Sequence, residues 1–461
     1  MIPLRTPPST GAAIGTQAVD IGQIVDRSPI SALQVRILVV CILVAMVDGF
    51  DTQAVAFVGP SLGKAWGLSK ATLGTLFSAT LLGSALGAVL FGRLSDQFGR
   101  RALMALGLAV FGSMTLGSAM SRGPADLLVF RVLAGVGLGG ALPSLLAFVS
   151  EYAPARSRAT LVVICMWGYP AGGALGGLLS IRLIEAYDWK AVFWVGGAMP
   201  LVLVPLTLLF LPESISYLVS RNRVEQVRRL IAQIDPTHVH AENVTYSMST
   251  VHELRAPLRS VLFGTFASST YLLGGSLFLS LLLAYFLVNW VPTLLHDIGL
   301  PLNDSILAVV ALNVTGILGS FVLCRLVDRY RSDVRIVAGG FLAAAIAVAS
   351  TGLLGNLPHA MLLGLAMVGF FLIGSQMALT AYTSTYYPSA LRATGLGVTQ
   401  AMGRIGSVMG PLIAGLLLST HLSPQQLLRL GAFPALLSAF LLLVLRHTSG
   451  LARIAWVGRS Q

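Results

Sequence analysis

Apolar stretches of roughly twenty residues recur along almost the whole chain, and they limit its possible folds more than any other feature. A helix of about 20 apolar residues spans the hydrocarbon core of a bilayer, where every backbone polar group must be bonded within the protein. Charged residues make up 10% of the sequence, against about 25% in soluble domains. We therefore predict an all-α integral membrane protein with twelve transmembrane helices. The predicted spans cover about residues 35–58, 72–93, 102–120, 126–149, 158–182, 190–211, 268–295, 305–327, 334–354, 359–384, 393–418 and 424–446.

A polar stretch divides these spans into two groups of six. The sequence predicts an N-terminal tail over residues 1–34, a six-helix bundle over 35–211 and a linker over 212–267. A second six-helix bundle follows over 268–447, and a C-terminal tail covers 448–461. The linker residues 223–234 carry apolar side chains at helical spacing, which predicts a short amphipathic helix at the cytoplasmic surface.

Arginines are concentrated in alternate loops, and this bias sets the orientation. Loops rich in Lys and Arg face the cytoplasm, so both tails are predicted to be cytoplasmic. The net charge of +12 then reflects membrane topology and gives no reason to expect a nucleic-acid partner. The arginines of the predicted cytoplasmic loops are Arg93, Arg100, Arg101, Arg156, Arg158, Arg221, Arg223, Arg228, Arg229, Arg325, Arg329, Arg331 and Arg335.

Two segments of the first half recur in the second half. Residues 92–100 are similar to 324–331, and residues 151–160 are similar to 385–394. The two pairs have nearly the same offset, which indicates a duplicated six-helix unit. Repeats of this kind place a substrate site near the bilayer midplane, between the two halves.

Asp48 and Asp51 lie within the first predicted span. A carboxylate at this depth costs at least about 2.5–3.5 kcal/mol, so such residues are rare and usually functional. Their spacing of three places both on one helix face. The pattern favours a proton or substrate site, with a helix-packing hydrogen bond as the alternative.

The segment from Gly92 to Arg101 resembles the signature that the major facilitator superfamily carries between its second and third helices. The segment from Asp48 to Ala54 resembles, more narrowly, the aromatic acid:proton symporter family. Three further segments support that resemblance: Gly139-Gly-Ala-Leu-Pro143, Ser150-Glu-Tyr-Ala-Pro154 and Asn289-Trp-Val-Pro292-Thr-Leu-Leu.

This resemblance implies a monomeric secondary transporter of the bacterial inner membrane. It would import a benzoate-, hydroxybenzoate- or phenylpropionate-like carboxylate together with protons by alternating access, with no cofactor other than the coupling H+. A cytoplasmic gate loop would latch one conformation. Its residues would be Gly92, Asp96, Gly99, Arg100, Arg101 and Asp328.

Arg131 lies in the fourth predicted span, at a depth comparable with the two acids. An arginine beside an aspartate stabilises the ionised carboxylate, and protonation of the acid would release the arginine. In the resembled superfamily, a helix 1 acid and a helix 4 arginine often couple in this way. We therefore expect Asp48 or Asp51 to form a proton-coupling set with Arg131, with a static buried ion pair as the alternative.

Arg404 lies near the middle of the eleventh predicted span, and the second-half spans contain no carboxylate to pair with it. A guanidinium binds carboxylates bidentately, so Arg404 is expected to anchor a substrate carboxylate, or else to meet a helix 1 aspartate. Polar or aromatic side chains in the apolar spans are further candidates for substrate binding. They are Asn289, Trp290, Asn313, Gln376, Tyr382, Gln400 and Trp167.

Other functions remain open at this point. The same fold could export its substrate, carry a dicarboxylate or nicotinate, or act as a sensor without transport. An enzyme is disfavoured because the sequence shows no nucleophile–base pair and no metal-ligand spacing. Cys41, Cys165 and Cys324 are far apart and odd in number, which indicates packing residues and no disulfide framework.

Overall fold

Twelve helices in the described part of the chain are long and apolar enough to span a membrane, as the sequence predicts. They come from a computed structural model. We call the side of the predicted arginine-rich loops the cytoplasmic side, and the opposite side the outer side. The structure describes residues 17–235, 244–247, 257–330, 333–354, 358–420 and 422–457.

The first half begins with a short strand and a short helix, so the predicted N-terminal tail is folded from Gln17 onward. Ile21, Ile24 and Val25 are buried against the first bundle, which a freely mobile tail would not allow. The elements of this half are β1 (Gln17–Asp20), α1 (Ile21–Arg27), α2 (Ala32–Trp66), α3 (Lys70–Phe98), α4 (Arg100–Ala119), α5 (Pro124–Tyr152), α6 (Arg158–Ala186) and α7 (Trp189–Phe210).

The linker contains the predicted amphipathic helix, but the apolar face of that helix packs on protein. The buried residues Val227, Leu230, Ile231 and Ile234 belong to the apolar core of the first bundle. Strands β1 and β2 pair in parallel, with Gln17 opposite Val244. The linker elements are α8 (Ile215–Ser220), α9 (Val224–Ile234), β2 (Val244–Ser247) and α10 (Leu258–Leu262).

The second half supplies the other six spans, and its last span is formed by two successive helices that meet near Gly431. The elements of this half are α11 (Ala267–Asp297), α12 (Leu302–Arg329), α13 (Val334–Leu353), α14 (Pro358–Tyr386), α15 (Ser389–Ser419), α16 (Pro424–Leu430) and α17 (Ala432–Val457).

Several helices extend beyond the predicted apolar spans. Helix α2 starts at Ala32 because Ser31 and Gln34 form a reciprocal capping box. Gly92 of the predicted gate segment lies in α3, within its predicted span, whereas Asp96 lies beyond that span but still inside α3, and Asp328 lies in the last turn of α12. Apolarity marks only the part of a helix that lies in hydrocarbon, whereas Arg, Ser, Asp and Gln can continue the helix into water.

Contacts between the two halves join α3 with α15, α6 with α12, and α2 with α11. At the outer end, Lys70 forms an ion pair with Asp297, and Asn303 donates a hydrogen bond to Glu185. Closer to the middle, the amide of Asn313 donates to the Oε1 atom of Gln53 over 2.8 Å. These six helices therefore form most of the interface between the halves.

Helices α2 and α6 approach each other closely at Gly172. A Cβ atom at this position would lie 1.8 Å from the backbone oxygen of Met46, which is far inside van der Waals contact. The absence of a side chain therefore sets the distance between α2, which carries both aspartates, and its neighbour α6.

We expect the substitution Gly172→Ala to lower the free energy of unfolding by about 1–3 kcal/mol, because the added methyl overpacks this contact. The matched control is Gly339→Ala on the exposed face of α13, where no atom lies within 4 Å of the added Cβ. Thermal unfolding of the purified proteins in detergent measures the difference. Equal stability of the two variants would contradict the close approach.

Candidate functional site

Asp51 and Arg131 form a bidentate ion pair between α2 and α5. The Nη2 atom of Arg131 lies 2.7 Å from Oδ2 of Asp51, and Nη1 lies 3.0 Å from Oδ1. Neither side chain has any exposed surface. Two charges buried in this way must compensate each other within the protein, because water cannot solvate them.

Two threonines and an aromatic ring complete the surroundings of this pair. The Nε atom of Arg131 donates to Oγ1 of Thr80 over 3.0 Å, and Oγ1 of Thr115 donates to Oδ1 of Asp51 over 3.0 Å. The guanidinium also lies 5.6 Å from the ring centroid of Phe193. The network thus joins α2, α3, α4, α5 and α7. The sequence analysis missed both threonines because they lie far from Asp51 in the chain.

Asp48 is in a different environment from Asp51, although both are on α2. Its side chain is buried, and its Oδ1 accepts a hydrogen bond from Thr52 over 3.1 Å. Its Oδ2 has no hydrogen-bond partner among the residues that the structure describes. No cation in the described ranges lies within ion-pair distance of Asp48. Of the two aspartates, Asp51 is therefore the one that pairs with Arg131.

Arg404 lies on α15 and is half-buried. It is close enough to Asp48 for a charge–charge interaction. Within the described chain, however, its guanidinium forms no ion pair within 4.0 Å. Asp48 and Arg404 are therefore opposite charges on opposite halves of the protein that form no ion pair with each other.

Two tyrosines connect the halves beside these charges. The hydroxyl groups of Tyr169 on α6 and Tyr285 on α11 are 3.2 Å apart. Both tyrosines lie near Asp48, and Tyr285 also lies near Arg404. The sequence analysis did not select Tyr285, since a tyrosine in an apolar span is often an interfacial anchor.

Asn289 and Trp290 are neighbours on α11 with different surroundings. The Nδ2 atom of Asn289 donates to the Tyr285 carbonyl over 2.8 Å, while its buried Oδ1 lacks a partner in the described structure. Trp290 is fully buried, its Nε1 donates to the Pro411 carbonyl over 2.9 Å, and its ring packs edge-on against Phe77. In this conformation, the indole N–H of Trp290 is not available to a substrate.

The other predicted substrate residues fall into three groups. Trp167 donates from Nε1 to Ser320 across the halves over 2.8 Å, and Asn313 pairs with Gln53. Gln376 and Gln400 are half-buried on α14 and α15. Tyr382 lies near the cytoplasmic end of α14, where its ring packs against that of Tyr386. It is therefore separated along the helix from the middle of the bundle.

The predicted gate segment is held by two glutamates of the first half that the sequence analysis missed. Arg100 forms an ion pair with Glu151, and the backbone N–H of Arg101 donates to Oε1 of Glu213 over 3.0 Å. Gly99 has a φ of +91°, and a Cβ there would lie 2.6 Å from Oε2 of Glu213. Only glycine therefore fits the turn between α3 and α4.

The second-half member of the predicted gate does not reach this cluster. Asp328 forms no ion pair with any residue that the structure describes. The side chain of Asp96 lies outside the described part of the structure. A search of the described residues finds no cluster that could hold a metal, and the three cysteines are free.

Comparisons with known proteins agree with this architecture. The family model of the Major Facilitator Superfamily matches residues 41–411 and, separately, 273–455. A gallate transporter of Pseudomonas putida is 34% identical over 93% of this chain and 95% of its own. A 4-hydroxybenzoate transporter of Acinetobacter baylyi is 33% identical over 93% and 94%. In fold alone, the inward-open xylose transporter XylE of E. coli is similar, with a TM-score of 0.71 at 19% identity over 89% of this chain and 95% of that one.

Substitution of Asp51 and substitution of Asp48 should have very different effects on the free energy of unfolding. We expect Asp51→Asn to lower the free energy of unfolding by about 3–5 kcal/mol, since it leaves the buried Arg131 charge without a counterion. The isosteric control Asp48→Asn removes no ion pair, so it should leave stability unchanged or raise it. Chemical unfolding of both purified variants in detergent measures these changes. A larger loss for Asp48→Asn than for Asp51→Asn would refute the assignment.

Proposed function

The chain belongs to the Major Facilitator Superfamily, and we propose that it imports an aromatic carboxylate together with protons across the bacterial inner membrane by alternating access. It is a multi-pass membrane transporter and not an enzyme, as the sequence predicts. The named substrates of the two relatives, gallate and 4-hydroxybenzoate, are both carboxylates on a hydroxylated ring. The observation that carries the proposal is that Asp48 is buried without an ion pair near Arg404 of the other half, which also forms none in the described structure.

Arg404 anchors the substrate carboxylate in this proposal. A guanidinium and a carboxylate form two parallel hydrogen bonds, which fixes the orientation of a flat acid as well as its charge. Trp167, Asn289, Asn313, Gln376 and Gln400 remain candidates for contacts with the ring and its substituents. Gln376 on α14 and Gln400 on α15 are half-buried, so part of each side chain is accessible for hydrogen bonds with a substrate.

Asp48 carries the coupling proton. An ionised carboxylate that is buried without an ion pair is costly, whereas the neutral acid is tolerated, so its surroundings suit a group that takes up and releases a proton. Asp51 and Arg131 belong to the coupling set in a different role. They hold α2 and α5 in register, and the nearby Asp51 charge acts on Asp48 through space.

In this proposal, charge balance couples binding of the proton to binding of the substrate carboxylate. With the site empty, the negative Asp48 and the positive Arg404 balance each other. With proton and carboxylate both bound, each residue is neutralised separately. With only one of them bound, a single uncompensated charge remains, and its burial during closure is costly. Reorientation is therefore favoured for the empty and the fully loaded protein, and this is the requirement for symport.

The central experiment is uptake of labelled 4-hydroxybenzoate, gallate and benzoate into proteoliposomes, with and without an acidic exterior. We expect accumulation of at least one of these acids above the equilibrium level only when the pH gradient is imposed. Arg404→Gln should abolish this uptake because it removes the cation that binds the carboxylate.

The matched control for this variant is Arg335→Gln, which removes an exposed arginine on α13. It should retain uptake close to that of the unmodified protein. Uptake of every tested acid without a response to the gradient would contradict proton coupling. Uptake by Arg404→Gln equal to that by the control would contradict the role of Arg404.

A further inference from the structure

A positively charged cavity lies on the cytoplasmic side, where the end of α3 meets the linker helices α8 and α9. It is a cavity of about 310 Å³ lined by Arg101, Arg221 and Arg223, together with Glu213 and Tyr217. None of these residues belongs to the site around Asp48 and Arg404. We propose that this cavity binds a phosphate group, carried either by an anionic lipid headgroup or by a soluble phosphate compound.

The three arginines outnumber the acidic groups of the cavity. Glu213 is its one lining carboxylate among the described residues, and its Oε1 already accepts from the backbone N–H groups of Arg101 and Ser214, each over 3.0 Å. This carboxylate therefore serves to cap the start of α4. In the described part of the chain, Arg101, Arg221 and Arg223 form no ion pair. The cavity thus keeps an excess positive charge that an anion would neutralise.

Two of the arginines are already held in place. Arg101 donates from Nη1 to the Leu211 carbonyl over 3.3 Å. Arg221 donates from Nη2 to the Gln97 carbonyl over 3.0 Å, and its guanidinium lies 5.7 Å from the ring centroid of Tyr217. Each of these guanidinium groups retains further N–H donors, because an arginine side chain carries five. Preorganised donors of this kind lose little entropy when an anion binds.

The turn between α8 and α9 brings Arg221 and Arg223 to the cavity. Asn222 has a φ of +52°, a left-handed conformation that asparagine tolerates better than most residues. This turn places Arg221 and Arg223 on either side of Asn222, and both residues line the cavity. The acid that follows, Glu225, is bonded to Arg228 and Arg229 and does not line the cavity.

A phosphate group suits this geometry better than a single-atom anion such as chloride does. Guanidinium groups bind phosphate oxygens bidentately, and three of them around one cavity can contact several oxygens of one group. The site also lies at the cytoplasmic end of α3, near the level of the headgroups of anionic lipids, which attract basic side chains. A bound phosphate would link the end of α3 to the linker helices.

The test compares two double variants of the full-length protein that remove equal charge. Arg221→Gln/Arg223→Gln removes two cavity arginines. The control Arg228→Gln/Arg229→Gln removes two arginines of α9 that pair with Glu225. Native mass spectrometry measures phosphatidylglycerol retained from nanodiscs that contain equal phosphatidylglycerol and phosphatidylcholine. Thermal unfolding in detergent measures stabilisation by inorganic phosphate relative to chloride at equal ionic strength.

We expect the unmodified protein and the control to respond in at least one assay, and the cavity variant to lose binding on the order of tenfold. Loss of phosphatidylglycerol retention alone identifies a lipid headgroup, and loss of phosphate stabilisation alone identifies a soluble ligand. The proposal is overturned if the cavity variant and the control behave alike in both assays, or if the unmodified protein responds in neither. If the cavity double variant does not fold, Arg223→Gln alone takes its place under the same criteria.

Discussion

Arg131 and Asp51 lie side by side in the first bundle with no exposed surface on either side chain. A charge in this position cannot be solvated by water, so the surrounding helices must supply every compensating contact. Thr80, Thr115 and the Asp51 backbone oxygen provide these contacts from three helices. The pair therefore fixes how α2, α3, α4 and α5 are arranged. Because α2 also carries Asp48, the position of that second acid depends on the pair.

The interface between the halves has the opposite character. Asp48 and Arg404 form no ion pair in the described structure, and near Asp48 the neutral hydroxyls of Tyr169 and Tyr285 meet across the halves. Hydrogen bonds between neutral groups are weak enough to be exchanged for contacts with a substrate. This difference is what the proposed alternating access would use. In that proposal, the Asp51–Arg131 pair holds the first bundle together, and the charges of Asp48 and Arg404 are neutralised when proton and substrate bind.

Much of the fold could be predicted from the sequence because membrane helices are encoded locally, by the length and apolarity of each span. The helix ends were less predictable, as α2 shows, because its start depends on the capping contact between Ser31 and Gln34. The gate segment was predicted as a loop, yet Asp96 lies in α3, because polar residues can extend a helix into water.

The candidate site could be predicted only in part, for a similar reason. A buried charge is visible in the sequence, so Asp48, Asp51, Arg131 and Arg404 could be selected directly. Which aspartate pairs with Arg131 depends on helix rotation and packing, which spacing alone does not determine. The partners Thr80 and Tyr285 are neutral residues far away in the chain, and they gain significance only through their tertiary neighbours. The same holds for the cavity beside Arg221, which needs a turn at Asn222 that only the backbone geometry reveals.

Calorimetric titration of the purified protein with 4-hydroxybenzoate, in buffers of different ionisation enthalpy, measures the proton uptake that accompanies substrate binding. The predicted result is that the unmodified protein takes up a proton on binding near neutral pH. The Asp48→Asn variant should still bind the acid through Arg404 but take up none. Equal proton uptake by both proteins would contradict the assignment of the coupling proton to Asp48.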